Sequence, residues 1–490
     1  MSESYELFAS PEPADAGIKR RTSGHRASLE VAAVALAALV ASLSQSLLLP
    51  VLPQLQERYG PDSVWLLTAT LLVAIIAVPV MGRLGDLYGI RRMLLAALIL
   101  LTVGCLVDAV TDSLPVLIFG RACQGAAMAV IPLGISLLAA LLPAQRAGSA
   151  VAVVSALLGV GSSLGLPLGG LVAESWDWQC LMWISFSLGL VSFTGIVLLV
   201  RESHQPIVGR VDPVGGLLLV AGLLALVLPL EQAHEWGWGS LQVWGLLAAS
   251  AVLLLSLGIL ELRQREPLVD VRALARRPIL MTNLASICFG FALFASFIGT
   301  TTFVAVDPHT FPTGQTSYGF AATPFLAGLT LLPSGIMMLL LAPVATRLIQ
   351  RRGAPRTLAL GALVVSIGWV TRIALTSELW QVILGSTVIG VGTGIGYTAM
   401  PTIINTHTLP HEIAAANGLN TLFRSLGSTL ATAVSTTLLA SFSFRLTSQD
   451  IPTLSGYRVL FAACALAALL SAVLALSVPR HGISQRSASA

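Results

Sequence analysis

Between residues 29 and 478 the chain is a succession of apolar runs broken by short polar stretches. Each run is roughly twenty residues long, the length an α-helix needs to cross the hydrocarbon core of a bilayer. In lipid a backbone has to satisfy its own hydrogen bonds, so such runs predict helices. Counting the breaks gives fourteen spans, the first at 29–52 and the last at 457–478. Charge fits this reading: charged residues are 10% of the 490 positions, against about 25% in soluble domains. The sequence therefore predicts an all-α polytopic membrane protein.

The formal charge of +4 does not point to nucleic acid. All basic residues but Lys19 are arginine, and they lie scattered in the gaps between apolar runs, where topology accounts for them. With the N-terminus in the cytoplasm, 21 of the 27 basic residues fall on the inner side, which predicts cytoplasmic N- and C-termini. The first 28 residues are polar, and the long run that follows them reads as an anchor rather than a cleaved signal. Cys105, Cys123, Cys180, Cys288 and Cys464 occur singly, which implies neither a disulfide framework nor a metal site. No cofactor is expected.

Sliding the chain against itself by about 264 residues exposes an internal repeat. Pro79, Arg83, Leu84, Gly89 and Arg92 fall on Pro343, Arg347, Leu348, Gly353 and Arg356, and Gly120 and Gly125 then meet Gly385 and Gly390. The expected organisation is a tail (1–28), a six-helix bundle (29–200), a linker with inserted spans 7 and 8 (201–278), a second six-helix bundle (279–478) and a short tail (479–490). Two such halves can rock about a site at the midplane, exposing it alternately to each side.

Chemistry concentrates in a few places. "GRLGDLYGIRR" (Gly82 to Arg92) lies between spans 2 and 3. Gly82, Gly85 and Gly89 let helix ends approach closely, and Asp86 is placed to meet a helix N-terminus or a neighbouring arginine. Arg121, inside span 4, costs about 2.5–3.5 kcal/mol on insertion scales, which makes it either a relay or gating group or a hydrogen-bonding strut. Near the outer boundaries lie Asp108 of span 3 and Glu231 of span 7, for which an interfacial setting is predicted. Snorkelling suits Arg372, whereas Arg424 of span 13 is deeper and suggests function.

The motifs resemble those of the major facilitator superfamily. "GRLGDLYGIRR" is similar to its signature loop, "LIFGRACQGAAMAVIP" (Leu117 to Pro132) to its fourth-helix motif, and "GVGSSLGLPLGG" (Gly159 to Gly170) to the fifth-helix motif of its antiporters. Fourteen spans, "EWGWGS" after span 7 and "ANGLNTLFRSLGSTLATA" at span 13 narrow the resemblance to the fourteen-helix drug:H+ antiporters. The resemblance implies export of small amphipathic molecules from the cell by proton antiport, in the plasma membrane, by a monomer. It assigns Gly82, Arg83, Gly85, Asp86, Gly89, Arg91 and Arg92 to a gate between halves, and Arg121 and Gln124 to coupling; the acids that this sequence itself offers for coupling are Asp108, Glu231 and Asp86. Gly161, Gly165, Pro167, Gly169 and Gly170 would bend span 5 and pack it against the other half.

The departures matter too. Where the family carries an aspartate in span 1 this chain has Ser44, and Leu166 stands where a proline is usual, with Pro167 next. An uncoupled facilitator or uptake permease is therefore the alternative. Candidate substrate contacts are Gln45, Asn283, Phe291, Tyr397, Asn420 and Arg424, a set that suits a neutral or anionic amphipathic compound better than a dication. An enzyme would need a polar constellation at one interface; His407, His411 and Glu412 come nearest and lack the spacing of a metal site, so none is expected.

Overall fold

The computed structural model describes residues 24–202, 212–264, 270–311, 316–409, 412–446 and 449–479. Among these residues thirteen helices are long and apolar enough to cross a membrane. They are span 1 (Arg26–Tyr59), 2 (Asp62–Tyr88), 3 (Ile90–Val110), 4 (Leu114–Leu141), 5 (Arg146–Ser175), 6 (Gln179–Leu199), 7 (Pro213–Ala233), 8 (Leu241–Arg263), 9 (Arg277–Ala305), 10 (Pro324–Arg352), 11 (Ala354–Ala374), 12 (Leu379–His407) and 14 (Leu454–Leu476). Span 13 (Ile413–Ser441) is a helix of 29 residues that apolarity alone misses. It is rich in serine, threonine and asparagine, and its exposed face is made tolerable because hydroxyls bond back along the helix, Thr436 to Thr432 O and Thr437 to Ala433 O. One element departs from the all-helical expectation: a two-stranded antiparallel hairpin, Ser443–Leu446 with Gln449–Pro452, joins spans 13 and 14.

Packing follows the same scheme in both groups of six. Span 1 packs on 5 and 6, 2 on 4, and 3 on 4 and 6; likewise span 9 packs on 13 and 14, 10 on 12, and 11 on 12 and 14. The groups meet along a seam where span 5 lies on span 10 and span 2 on span 13. Span 7 leans on spans 2 and 13 and pairs with span 8, so the inserted hairpin covers one flank of the seam. Leu219, Leu223 and Val227 pack there with Ile75 and Leu422. Trp238, just beyond span 7, donates from Nε1 to Thr437 Oγ1 at 2.8 Å.

Glycine decides how close these helices come. A Cβ on Gly161, Gly165 or Gly169 would strike span 1 at Leu39 O and Leu43 N, at Leu43 O and Ser46, and at Leu47 O and Pro50 respectively. This four-residue stripe packs span 5 on its own bundle, not on the other half as expected, because residues four apart share one helix face. Contact with the other half comes from the adjacent face. There Gly170 abuts the backbone of Pro324 and Phe325, Gly328 abuts Pro167, Gly335 abuts Ser163, and Gly159 meets Met338. Pro167 sits inside a helix that runs on through Ala144–Ser175.

Gly328 faces backbone, which cannot give way, so Gly328→Val should separate spans 5 and 10 and cost on the order of 1–3 kcal/mol. Thermal unfolding of the purified protein in detergent should show a lower midpoint; an unchanged midpoint would contradict this packing.

Candidate functional site

At one end of the seam the stretch between spans 2 and 3 is a single residue, Gly89, with φ 111°. Asp86 lies in the last turn of span 2 and is 2% exposed. Its carboxylate accepts from the backbone N–H groups of Ala414 (3.2 Å) and Ala415 (2.9 Å), in the first turn of span 13. Those amides have no partner within their helix, and a negative charge is favoured there. Gly82 permits this approach, since a Cβ would meet Ala414 O. A second tie runs beside it: Asn417 Nδ2 donates to Ser136 Oγ of span 4 (3.2 Å) and to Asn405 Oδ1 (2.7 Å).

The other residues assigned to this gate act inside the first bundle. Gly85 packs on Leu133 of span 4, and Gly89 lies against the Glu202 carboxylate. Arg91 donates to Val197 O at 2.8 Å, and its backbone N–H donates to Glu202, so it fastens span 3 to the end of span 6. Arg92 is exposed and reaches only Tyr88 O, while Arg83 is half-buried. Sequence reasoning missed the acids that complete this end: Glu202, and Glu30, which is fully buried and paired with Arg201 at 3.1 Å. Both stand at the edge of an apolar run, the one signal that could have singled them out.

A second group lies within the first bundle. Asp108 is 1% exposed, not interfacial as expected, because Gly104 and Gly120 bring spans 3 and 4 together around it. Its Oδ2 accepts from Gln124 Nε2 at 2.7 Å, and Gln124 Oε1 accepts from Arg121 Nη1 at 2.5 Å. Arg121 also donates from Nε to Leu66 O at 3.3 Å. Arg121 is thus linked to a carboxylate through one amide, and the charges offset each other away from water. Asp108 Oδ1 has no partner. Ser44 donates to Val40 O within its own helix, which leaves span 1 neutral at this point.

A third group lies in the second bundle. Asn420 Nδ2 donates to Asn283 Oδ1 (2.9 Å) and Ser286 Oγ (2.8 Å). One turn along span 13 the Arg424 guanidinium sits 4.8 Å over the Tyr397 ring, which packs 5.6 Å from Phe289. Phe291 is half-buried beside Gly427. Gln45 stands apart, on span 1, which packs against spans 4, 5 and 6. Arg372 does not snorkel: it is fully buried, donates to Thr300 and Ser386, and lies over the rings of Phe303 and Phe461. Those rings and hydroxyls make an interior setting cheaper than an extended route to the surface. Glu231 lies two residues from the end of span 7 and is half-buried; its Oε1 is covered, and the carboxyl faces Thr429 of span 13 because span 7 leans inward there. His407 is buried with Nδ1 on Ile403 O, and His411 lies outside the described residues.

At the opposite end of the seam Glu174 accepts from Phe325 N at 3.2 Å, joining spans 5 and 10. Beside it a cavity of about 370 Å³ opens between spans 1, 5, 9 and 10, walled by groups such as Leu49, Leu166 and Phe297.

Comparisons with known proteins agree with this architecture. The family model described as Major Facilitator Superfamily matches residues 34–338 and 310–489. Among similar curated proteins, Multidrug resistance protein Stp of Mycobacterium tuberculosis is 27% identical over 398 residues, covering 80% of this chain and 72% of that one. Puromycin resistance protein pur8 of Streptomyces alboniger is 28% identical over 449 residues and covers 86% of each chain. Tetracenomycin C resistance and export protein of Streptomyces glaucescens is 26% identical, covering 84% of this chain and 75% of that one. The crystal structure of the human organic anion transporter MFSD10 (TETRAN) shares the fold, with a TM-score of 0.64 over 92% of this chain and 99% of that one, at 17% identity.

Removing the carboxylate in Asp86→Ala leaves two amides of span 13 without acceptors. Bonds to a charged group are worth about 1.5–3 kcal/mol, so deuterium uptake in a peptide covering 412–418 should quicken at least about 10-fold, with span 11 unaffected. Unchanged uptake at 412–418 would show that Asp86 does not hold this end.

Proposed function

Given that this chain belongs to the major facilitator superfamily, a family of transporters, we propose that it exports small amphipathic molecules across the cell membrane by alternating access coupled to proton antiport. Relatives named for drug resistance or export at 26–28% identity support the direction and the kind of cargo. The observation that carries the mechanism is the seam, where two groups of six helices packed on one scheme meet along spans 5 and 10 and spans 2 and 13 and are tied by polar groups at each end. At one end stand Asp86 with Ala414 and Ala415, at the other Glu174 with Phe325 and the contacts of Gly170 and Gly328. Opening one end while the other stays shut is the motion a rocking pair of bundles performs. Residues 29–200 and 279–478 are the moving units, and spans 7 and 8 ride on the flank. The N- and C-termini lie in the cytoplasm, where the basic residues concentrate, so the Asp86 end is the inner one.

Proton coupling falls to Asp108. A carboxyl in low dielectric, one amide from a guanidinium and with one oxygen still free, can hold or release a proton as the Gln124–Arg121 link shifts. The arrangement replaces the acid that span 1 lacks. An uncoupled facilitator or uptake permease is the second reading, favoured by the neutral Ser44.

Everted vesicles with an imposed pH gradient separate the two. Wild-type protein should accumulate substrate against its gradient, and Asp108→Asn should lose that accumulation while keeping substrate exchange at equilibrium. Accumulation that ignores the pH gradient in the wild type would remove antiport; gradient-driven accumulation that survives Asp108→Asn would remove this residue from it.

A further inference from the structure

The polar group on spans 9, 12 and 13 holds more hydrogen-bond donors than it has acceptors for. Asn283 is fully buried, Tyr397 1% exposed and Arg424 6% exposed. Asn283 Nδ2, Tyr397 Oη and Arg424 Nη2 are all buried without a hydrogen-bond partner. Asn283 Oδ1 is already engaged by Asn420, and Ser286 gives its hydrogen to Thr282 O. What remains is a guanidinium edge, an amide N–H and a phenol O–H. A buried donor left unmade is costly, and more so a charged one. Two of them meet where Arg424 lies over Tyr397, and Asn283 joins through Asn420, one turn from Arg424 on span 13.

Among the described residues no carboxylate forms an ion pair with this cation. The two ion pairs among the described residues, Arg58–Asp112 and Arg201–Glu30, are elsewhere. Glu231 approaches span 13 at Thr429, which a helical wheel puts roughly 140° from Arg424. Tyr397 takes the face of the guanidinium and leaves its edge, where the donors lie, to another group. Arg372 also leaves Nε and Nη2 without a partner, but it lies between rings and hydroxyls of its own bundle, on span 11, which packs on spans 10, 12 and 14 and not on the first bundle.

Position supplies the second argument. Arg424 is seven residues from Asn417, so the two share a face of span 13, and Asn417 touches Ser136 of the first bundle. The stripe that carries Arg424 therefore runs along the seam between halves. Gly290 brings span 9 against the Arg424 carbonyl, and Gly396 admits the Phe289 ring beside Tyr397, so the cluster is held from three helices.

We propose that Arg424, Tyr397 and Asn283 bind the anionic head of the transported molecule, an amphipathic organic monoanion with a carboxylate, enolate or phenolate. The assignment rests on the export reading above and narrows its cargo. The guanidinium supplies the charge, the phenol and amide direct hydrogen bonds to the remaining lone pairs, and Phe289 faces the apolar body.

Fluorescein and rhodamine 123 share a xanthene core and differ in the sign of their charge. Their binding to the full-length protein in lipid nanodiscs, followed by fluorescence anisotropy, is the test. Fluorescein should bind at least about 10-fold more tightly, and Arg424→Gln should weaken it about 10- to 100-fold. Arg424→Lys should recover part of the loss, and Tyr397→Phe, which keeps the ring, should cost a smaller factor; neither empties the site of volume, so both guard against misfolding. Preference for rhodamine 123, fluorescein binding that Arg424→Gln leaves unchanged, or binding of neither dye overturns the anion site. Transport in everted vesicles separates this from the broader reading: rhodamine 123 export that tolerates Arg424→Gln would leave an exporter without an anion site, and failure to move either dye would count against export as well.

Discussion

A polar group inside this bundle has no water to turn to, and that constraint orders the structure. Each buried charge or amide has to be met by another group of the chain or stay costly. Where partners are complete, as at Asp86 with the amides of Ala414 and Ala415, two helices of different bundles are tied. Where they are nearly complete, as in Asp108, Gln124 and Arg121, one free oxygen remains on a group that can change charge. Where they are incomplete, around Arg424, the protein keeps capacity for something from outside.

Close backbone approach makes those partnerships reachable. Glycine on span 5 works on two faces: Gly161, Gly165 and Gly169 seat it on span 1, while Gly159 and Gly170 bring it against span 10. The helix is thereby part of its own bundle and part of the seam. Gly120 and Gly385 do comparable work inside the bundles, one against Asp108 and the other against Arg372. These two charged residues stand 264 residues apart, the spacing of the repeat. Opposite charges stand at these related positions, an acid linked through Gln124 to Arg121 in one half and a cation lying over two rings in the other.

Fold class and most spans were legible because apolar length alone dictates a membrane helix. Span 13 was legible only as a run with serine and threonine in it, whose hydroxyls bond back to carbonyls of their own helix. The site was half legible. The contact of Asp86 with a helix start followed from charge and from the glycines around it, and Asn283, Tyr397, Asn420 and Arg424 do converge. Depth misled for Asp108 and Arg372, since distance from the end of an apolar run says nothing about which neighbour covers a side chain. The direction of the span 5 glycines was misread for a related reason: a four-residue spacing defines a face but not the helix that fills it. Glu174 and Glu202 drew no notice because their partners are backbone amides, which leave no mark in sequence.

The central claim is that the two ends of the seam open in alternation. Its most direct measurement is pulsed electron paramagnetic resonance on a variant without the five native cysteines, with spin labels in two pairs. One pair, at Tyr88→Cys and Leu409→Cys, spans the Asp86 end; the other, at Trp176→Cys and Leu326→Cys, spans the Glu174 end, all four positions being exposed. When pH or substrate shifts the population, one distance should lengthen as the other shortens. Two distances that stay fixed, or that lengthen together, would contradict a pair of rocking bundles.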